Sequence, residues 1–239
     1  MRLEPVYHLG RAAGEPLGGT LPLDLDALVP GSGGWEVELG YGKGRFLLGR
    51  ALGQPERRFL GIEVVSKYHK LLSKRMRARG VENLLNLRGE ALFLLSTLLP
   101  RGFAERVHVY FPDPWPKAKH RRRRLFDPQT VDLVLGTLRP GGALCFATDF
   151  LEYGEVVMDL LAAHPHLEVE PVLGPWPDGA RTNYEAKYME EGRPIVRAIA
   201  HLDSSADPAA LHPDGIDGVT CAWPRDDEAD PAAALAVAG

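Results

Sequence analysis

Short apolar runs of strand character alternate along this chain with segments whose apolar residues recur three and four positions apart. Strands are expected near 35–39, 58–64, 84–87, 107–111, 143–148, 167–172 and 194–202. Helices are expected near 44–52, from Ser66 to Gly80, from 88 to about Leu99, from Asp127-Pro128 through Leu138, and from 149 to about His164. Ser66 and Asp127 read as N-caps, Pro128 as a first helical residue and Gly80 as a stop. Alternation of this kind implies an α/β fold: a mainly parallel seven-stranded sheet with helices on both faces. In such sheets ligands bind beyond the carboxyl ends of the strands, near the point where strand order reverses.

The flanks differ from this middle. Residues 1–30 hold Gly10, Gly14, Gly18 and Gly19 with several prolines and read as an irregular N-terminal extension. Residues 31–202 form the single expected domain, and 203–239, rich in Ala, Asp and Pro, read as a mobile or loosely docked acidic tail. The net charge of −4 conceals a division: the tail carries eight acids and Arg225, a charge of −7, which leaves residues 1–202 at +3. Cys145 and Cys221 are too few for a disulfide framework or a cysteine-rich zinc site, and Cys145 lies in an apolar run as a buried thiol. Eight histidines without HExxH spacing give no expectation of a metal. No apolar stretch approaches a membrane span or a signal peptide, so a cytoplasmic soluble protein is expected.

Glu38-Leu-Gly40-Tyr-Gly42-Lys-Gly44 joins the first strand to the first helix. Glycines there permit a tight turn and close approach of a ligand to the backbone, although a plain turn is an open alternative. Three acids sharpen the reading: Glu38 at the end of strand one, Glu63 at the end of strand two and Glu90 after strand three. Glu63 is placed for ribose hydroxyls, Glu38 for an ammonium group and Glu90 for an adenine amino group. Glu38 would repel the pyrophosphate of a dinucleotide, whereas S-adenosylmethionine brings an ammonium and a sulfonium. A dehydrogenase is therefore disfavoured.

Strand four runs into Phe111-Pro-Asp-Pro-Trp-Pro-Lys-Ala-Lys-His-Arg-Arg-Arg-Arg124. Two prolines restrict the backbone on either side of Asp113, and Trp115 offers a flat surface for stacking. Six of the eight residues 117–124 are Lys or Arg. Such a run is most often a solvated face, but beside a rigid carboxylate a phosphate-backbone footprint is the better reading. If about four to six of these cations neutralise phosphates, log affinity should fall with log salt at a slope of roughly −3 to −5.

This stretch resembles the PDPWxKxxHxKRR signature of tRNA (guanine-N7)-methyltransferases. The Glu38–Gly44 loop, Gly61-Ile-Glu63, Ala147-Thr-Asp149 and Arg181-Thr-Asn-Tyr-Glu185 resemble further motifs of that family in the same order, over about residues 34–200. Glu90 stands where the family usually has Asp, and Arg122 and its neighbours extend the basic run. The resemblance implies a Rossmann-like class I S-adenosylmethionine-dependent methyltransferase acting on guanine 46 in the tRNA variable loop. It implies cofactor binding by Glu38, Gly40, Gly42, Gly44, Glu63, Glu90 and Asp113. It assigns substrate contacts to Lys117, Asp149, Thr182, Asn183, Tyr184 and Glu185, and RNA contacts to Lys119, His120, Arg121, Arg122, Arg123 and Arg124. tRNA is the expected partner; no membrane or obligate protein partner is expected, and the chain would be a monomer or homodimer.

Guanine N7 carries an in-plane lone pair and no proton, so attack on a sulfonium methyl needs no general base. Asp113 is the expected catalytic residue, orienting guanine through N1–H and N2–H₂ and stabilising the cationic product. Asp149 reads equally as a pocket residue or an N-cap, the 182–185 segment as a substrate loop or a simple turn, and Tyr184 as a pocket or packing residue. Two rivals remain: an amino-group methyltransferase of the N6-adenine type, whose (D/N)PP(Y/F) loop is similar to Pro112–Trp115, and a non-catalytic RNA-binding module on the same fold.

Overall fold

The computed structural model describes residues 22–29, 31–128 and 130–211. The elements run α1 (Leu25–Leu28), β1 (Trp35–Leu39), α2 (Arg45–Gly53), β2 (Arg58–Glu63), α3 (Ser66–Arg79), β3 (Leu84–Arg88), α4 (Ala91–Thr97) and β4 (Ala104–Tyr110). A 3₁₀ turn, Ala118–Arg123, precedes α5 (Thr130–Leu135), β5 (Leu138–Thr148), α6 (Leu151–Ala162), β6 (Leu167–Pro171), α7 (Asn183–Glu190) and β7 (Val196–Leu202).

All seven expected strands form one sheet, ordered β3-β2-β1-β4-β5-β7-β6. β3, β2, β1, β4 and β5 pair in parallel, and β7 alone runs antiparallel to both neighbours. The order reverses between β1 and β4, so the chain leaving each of these strands flanks one crevice. Helices cover both faces because the central strands are apolar on both sides: Val37, Leu39, Leu60, Ile62, Val107, Val109, Leu144 and Phe146 are all buried. Gly61 marks the tightest approach of helix to sheet. A Cβ there would lie 2.4 Å from Leu47 of α2 and 2.8 Å from Tyr41.

The boundaries depart from expectation in physically instructive ways. Ser66 is the first residue inside α3 rather than its cap, which is Val65 with no side-chain bond. Asp127 does accept from the Thr130 N–H, but α5 ends at Leu135, and Leu138 already belongs to β5. α7 lies where only a turn was expected: Thr182 caps it by accepting from the Glu185 N–H, at the T-x-x-E spacing that opens many helices.

Part of the expected tail is built into the domain. Asp203 N–H donates to His166 O, Ala206 joins the core, and the Ala209 carbonyl accepts from Arg101. The rest of the tail lies outside the described residues. At the other end, Leu23, Leu25 and Val29 of the expected extension are buried in the main core. Among the described residues no helix is long and apolar enough to cross a membrane.

Candidate active site at the carboxyl ends of the strands

The turn from β1 into α2 takes its shape from three left-handed residues, Gly40 (φ 71°), Gly42 (φ 54°) and Gly44 (φ 68°). Side chains are strained there, and a Cβ on Gly40 or Gly42 would meet nothing, so the loop presents bare backbone to the cleft. The Glu63 carboxylate holds it: Oε2 accepts from the Gly42 N–H at 2.8 Å, and Oε1 from the Val65 N–H at 2.9 Å. From below, the Tyr41 hydroxyl donates to Asn86, whose amide donates to His69 O and Ser73 Oγ.

Glu38 is the electrostatic centre. It is buried, and its Oε2 has no hydrogen-bond partner. Burial pushes its carboxyl up to about 7, with the Glu63 charge adding to the effect. Glu63 is raised by burial as well, with a contribution from Asp113, so these carboxylates lie close enough to feel one another. A ligand bringing a positive ammonium would give Glu38 its missing partner and relieve that crowding. The donor set therefore suits a cationic ligand and repels a pyrophosphate.

Asp113 stands on a strained loop. Phe111 and Trp115, neither of them glycine, adopt left-handed backbone (φ 53° and 40°) on either side of Pro112-Asp-Pro114. Neighbouring contacts hold the strain. Phe111 N–H donates to Ala147 O at 2.7 Å, Arg124 Nε to Pro114 O at 2.8 Å, and the Arg123 guanidinium sits 5.0 Å from the Trp115 ring centre. Asp113 itself is exposed at the rim, and partial desolvation raises its pKa.

The opposite wall is the segment leading into α7. Arg181 fastens it to β4: Nη1 donates to the Tyr110 hydroxyl at 2.6 Å, and the guanidinium stacks 4.0 Å from the Trp176 ring centre. Thr182, Asn183 and Tyr184 then line the same cleft as Glu38, Gly40 and Gly42. Tyr110, Phe46 and Tyr68 also line it, with Arg181 and Trp176 behind it, and none of the five was expected as a site residue. An aromatic at the end of a strand carries no mark that separates it from core.

Several residues stand elsewhere than the sequence implied. Glu185 is fully buried, accepting from Arg197 Nε at 2.7 Å and from the Arg181 N–H at 2.8 Å, so it shapes the loop and offers substrate no surface. Arg124 points inward, toward Pro114 O, Glu152 and the Tyr153 ring, and cannot also reach a phosphate. Arg121 is paired with Glu152 at 2.9 Å. Glu90 is exposed and spends both oxygens capping α4, on the Leu92 and Phe93 N–H groups. Asp149 caps nothing; it pairs with Arg193 at 3.2 Å. Lys117, Lys119 and Arg122 are exposed and His120, against the Trp115 ring, is half-buried; none of the four lines the cleft.

A family model described as "Putative methyltransferase" matches residues 35–198. A tRNA (guanine-N(7)-)-methyltransferase of Nitrosococcus oceani is 37% identical over 177 residues, 74% of this chain and 75% of that protein. One from Leifsonia xyli subsp. xyli is 40% identical over 181 residues, 76% and 80% of the two chains. Among solved structures, the 16S rRNA methyltransferase KamB superposes with a TM-score of 0.56 at 14% identity, over 75% of this chain and 92% of that one. The antibiotic-resistance methyltransferase Kmr superposes with a TM-score of 0.54 at 20% identity, over 82% and 98%. These structural likenesses carry the fold, and the sequence relatives carry the family. The chain belongs to the tRNA (guanine-N(7)-)-methyltransferases.

Proposed function

We propose that this protein methylates N7 of guanine 46 in the variable loop of tRNA, with S-adenosylmethionine as the methyl donor. The observation that carries the reading is the buried, unpartnered Glu38 oxygen beside a bare glycine loop, with Asp113 held on a strained turn at the mouth of the same crevice. The relatives named above are tRNA (guanine-N(7)-)-methyltransferases, which supports the same substrate class.

Glu38 would hold the ammonium of the donor, the backbone of Gly40 and Gly42 would pack against it, and Glu63 would use its remaining lone pairs on ribose hydroxyls. When bound, S-adenosylmethionine supplies a methyl group made electrophilic by the adjacent sulfonium. The protein's task is then positional, because guanine N7 has its lone pair in the ring plane and no proton to lose. Asp113 accepts from guanine N1–H and N2–H₂, a pair of donors that adenine does not present together, and offsets the positive charge that N7-methylation leaves on the ring. Thr182, Asn183 and Tyr184 close the other side, fixed by Arg181 on Tyr110.

Incubation with unmodified tRNA and S-adenosylmethionine, followed by nucleoside mass spectrometry, tests this. 7-Methylguanosine is expected. N6-methyladenosine would establish the amino-group rival, and tRNA binding without any product would establish the RNA-binding module.

A further inference from the structure

The basic run after Trp115 contributes fewer free cations than its composition suggests. Arg121 and Arg124 are engaged by Glu152, and Arg123 lies over Trp115. Among the described residues Lys117, Lys119 and Arg122 are left, fewer than the four to six of the expected footprint.

α3 has the complementary property. Its fourteen residues include Lys67, Lys70, Lys74, Arg75, Arg77 and Arg79 and no acid. The buried residues His69, Leu72, Ser73 and Met76 define the inward face. Lys67, Lys70, Lys74 and Arg77 are exposed and fall on one outward ridge, about 15 Å long at 1.5 Å per residue. Among the described residues, none of the six helix cations lies within ion-pair distance of a carboxylate. Lys70 and Lys74, and Arg75 and Arg79, stand four residues apart, where like charges destabilise a helix. Lys67 also places a cation in the first turn, the wrong end for the helix dipole. Arg77 and Arg79 suit the last turn and Arg75 bonds across to the glycine loop, but Lys67, Lys70 and Lys74 bring folding no such gain, which is what a surface kept for an external polyanion looks like.

Its location fits the crevice. α3 starts three residues after Glu63, its Tyr68 lines the cleft, and Arg75 Nη1 donates to the carbonyl of Lys43 in the glycine loop at 2.7 Å. In the sheet order, α3 lies on the β2–β3 side of the switch point and the basic 3₁₀ turn on the β4–β5 side.

We propose that the outward ridge of α3 is a second phosphate-binding surface for the tRNA substrate, so that the RNA backbone is held on both flanks of the cleft. This rests on the functional reading above.

The test compares the full chain with Lys70→Ala/Lys74→Ala and with a charge-matched control, Arg101→Ala/Arg139→Ala, at the amino-terminal end of the sheet. Binding of unmodified tRNA is titrated across salt concentrations, and product nucleosides are measured in parallel. Loss of two phosphate contacts should flatten the log–log salt slope by about 1.4 to 1.8 and weaken affinity about 25- to 60-fold at 0.1 M salt. The control should keep the wild-type slope. The melting temperature of the α3 variant should equal or exceed that of wild type, since like-charge repulsion is removed. An unchanged slope, or equal weakening in the control, would overturn the proposal while leaving methylation by the wild type intact. A wild type that makes no 7-methylguanosine would instead overturn the function, and this surface with it.

Discussion

Replacing Glu38 by Gln probes the electrostatic heart of the cleft. Its carboxyl is held at about 7 instead of near 4.5 because the group is buried and one of its oxygens has no partner. A displacement of that size corresponds to about 3 kcal/mol. The folded chain binds this proton more tightly than the unfolded chain. The associated stability is therefore full below about pH 4.5 and is lost as the pH rises through 7. Binding of a cationic donor runs the opposite way, because only the ionised carboxylate receives an ammonium. With a midpoint at 7, about 1% of the group is ionised at pH 5 and half at pH 7, so affinity should rise about 50-fold across that window. Calorimetry in buffers of different ionisation enthalpy should find about 0.9 proton released per S-adenosylmethionine bound at pH 6. Glu63 and Asp113 are also raised by burial and add slope of their own, so the diagnostic quantity is the difference between wild type and Glu38→Gln. The variant should bind weakly, lose most of the proton release, and no longer lose that part of its stability between pH 4.5 and 7. Equal affinity and equal proton release in the two proteins would refute the reasoning.

Asp113→Asn should lower single-turnover methylation and relax the choice of guanine over adenine; an intact rate and intact selectivity would remove Asp113 from the chemistry. Arg124→Ala should cost about 2 kcal/mol by urea unfolding, since it strips the charge-assisted bond to Pro114 O, and should slow methylation by releasing the Asp113 loop. Arg124→Lys should not restore the rate, and a change confined to the salt slope of tRNA binding would instead mark Arg124 as a phosphate ligand. Glu185→Gln should cost about 3–5 kcal/mol by leaving the buried Arg197 without its counter-charge, and full stability with lost activity would return Glu185 to a direct substrate role.

What was legible in the sequence is what local chemistry writes. The strands, the glycine turn and the acids at strand ends follow from apolar runs and from residues that only a turn tolerates, and the glycines do adopt φ above 50°. Arg124 misled because its fate depends on a residue far along the chain. Arg124 turns inward to meet Glu152, 28 residues later, and no pattern within 117–124 announces that partner. Glu185 is the same case, since Arg197 decides its burial. α7 was available in principle through the Thr182–Glu185 spacing, but the preceding Trp176-Pro-Asp-Gly loop suggested only a turn. α3 was legible as a helix from its apolar face, while the absence of a described carboxylate partner for its cations is visible only in the structure.

The proposed role of this crevice is to place one guanine, in one plane, for methylation at N7. Its most direct test is to map the modified nucleotide on unmodified tRNA after incubation with labelled S-adenosylmethionine, alongside a transcript in which guanine 46 is replaced by adenine. A single 7-methylguanine at position 46, and no label in the substituted transcript, is the predicted result. Label on an exocyclic amine, or undiminished label in the substituted transcript, would contradict it.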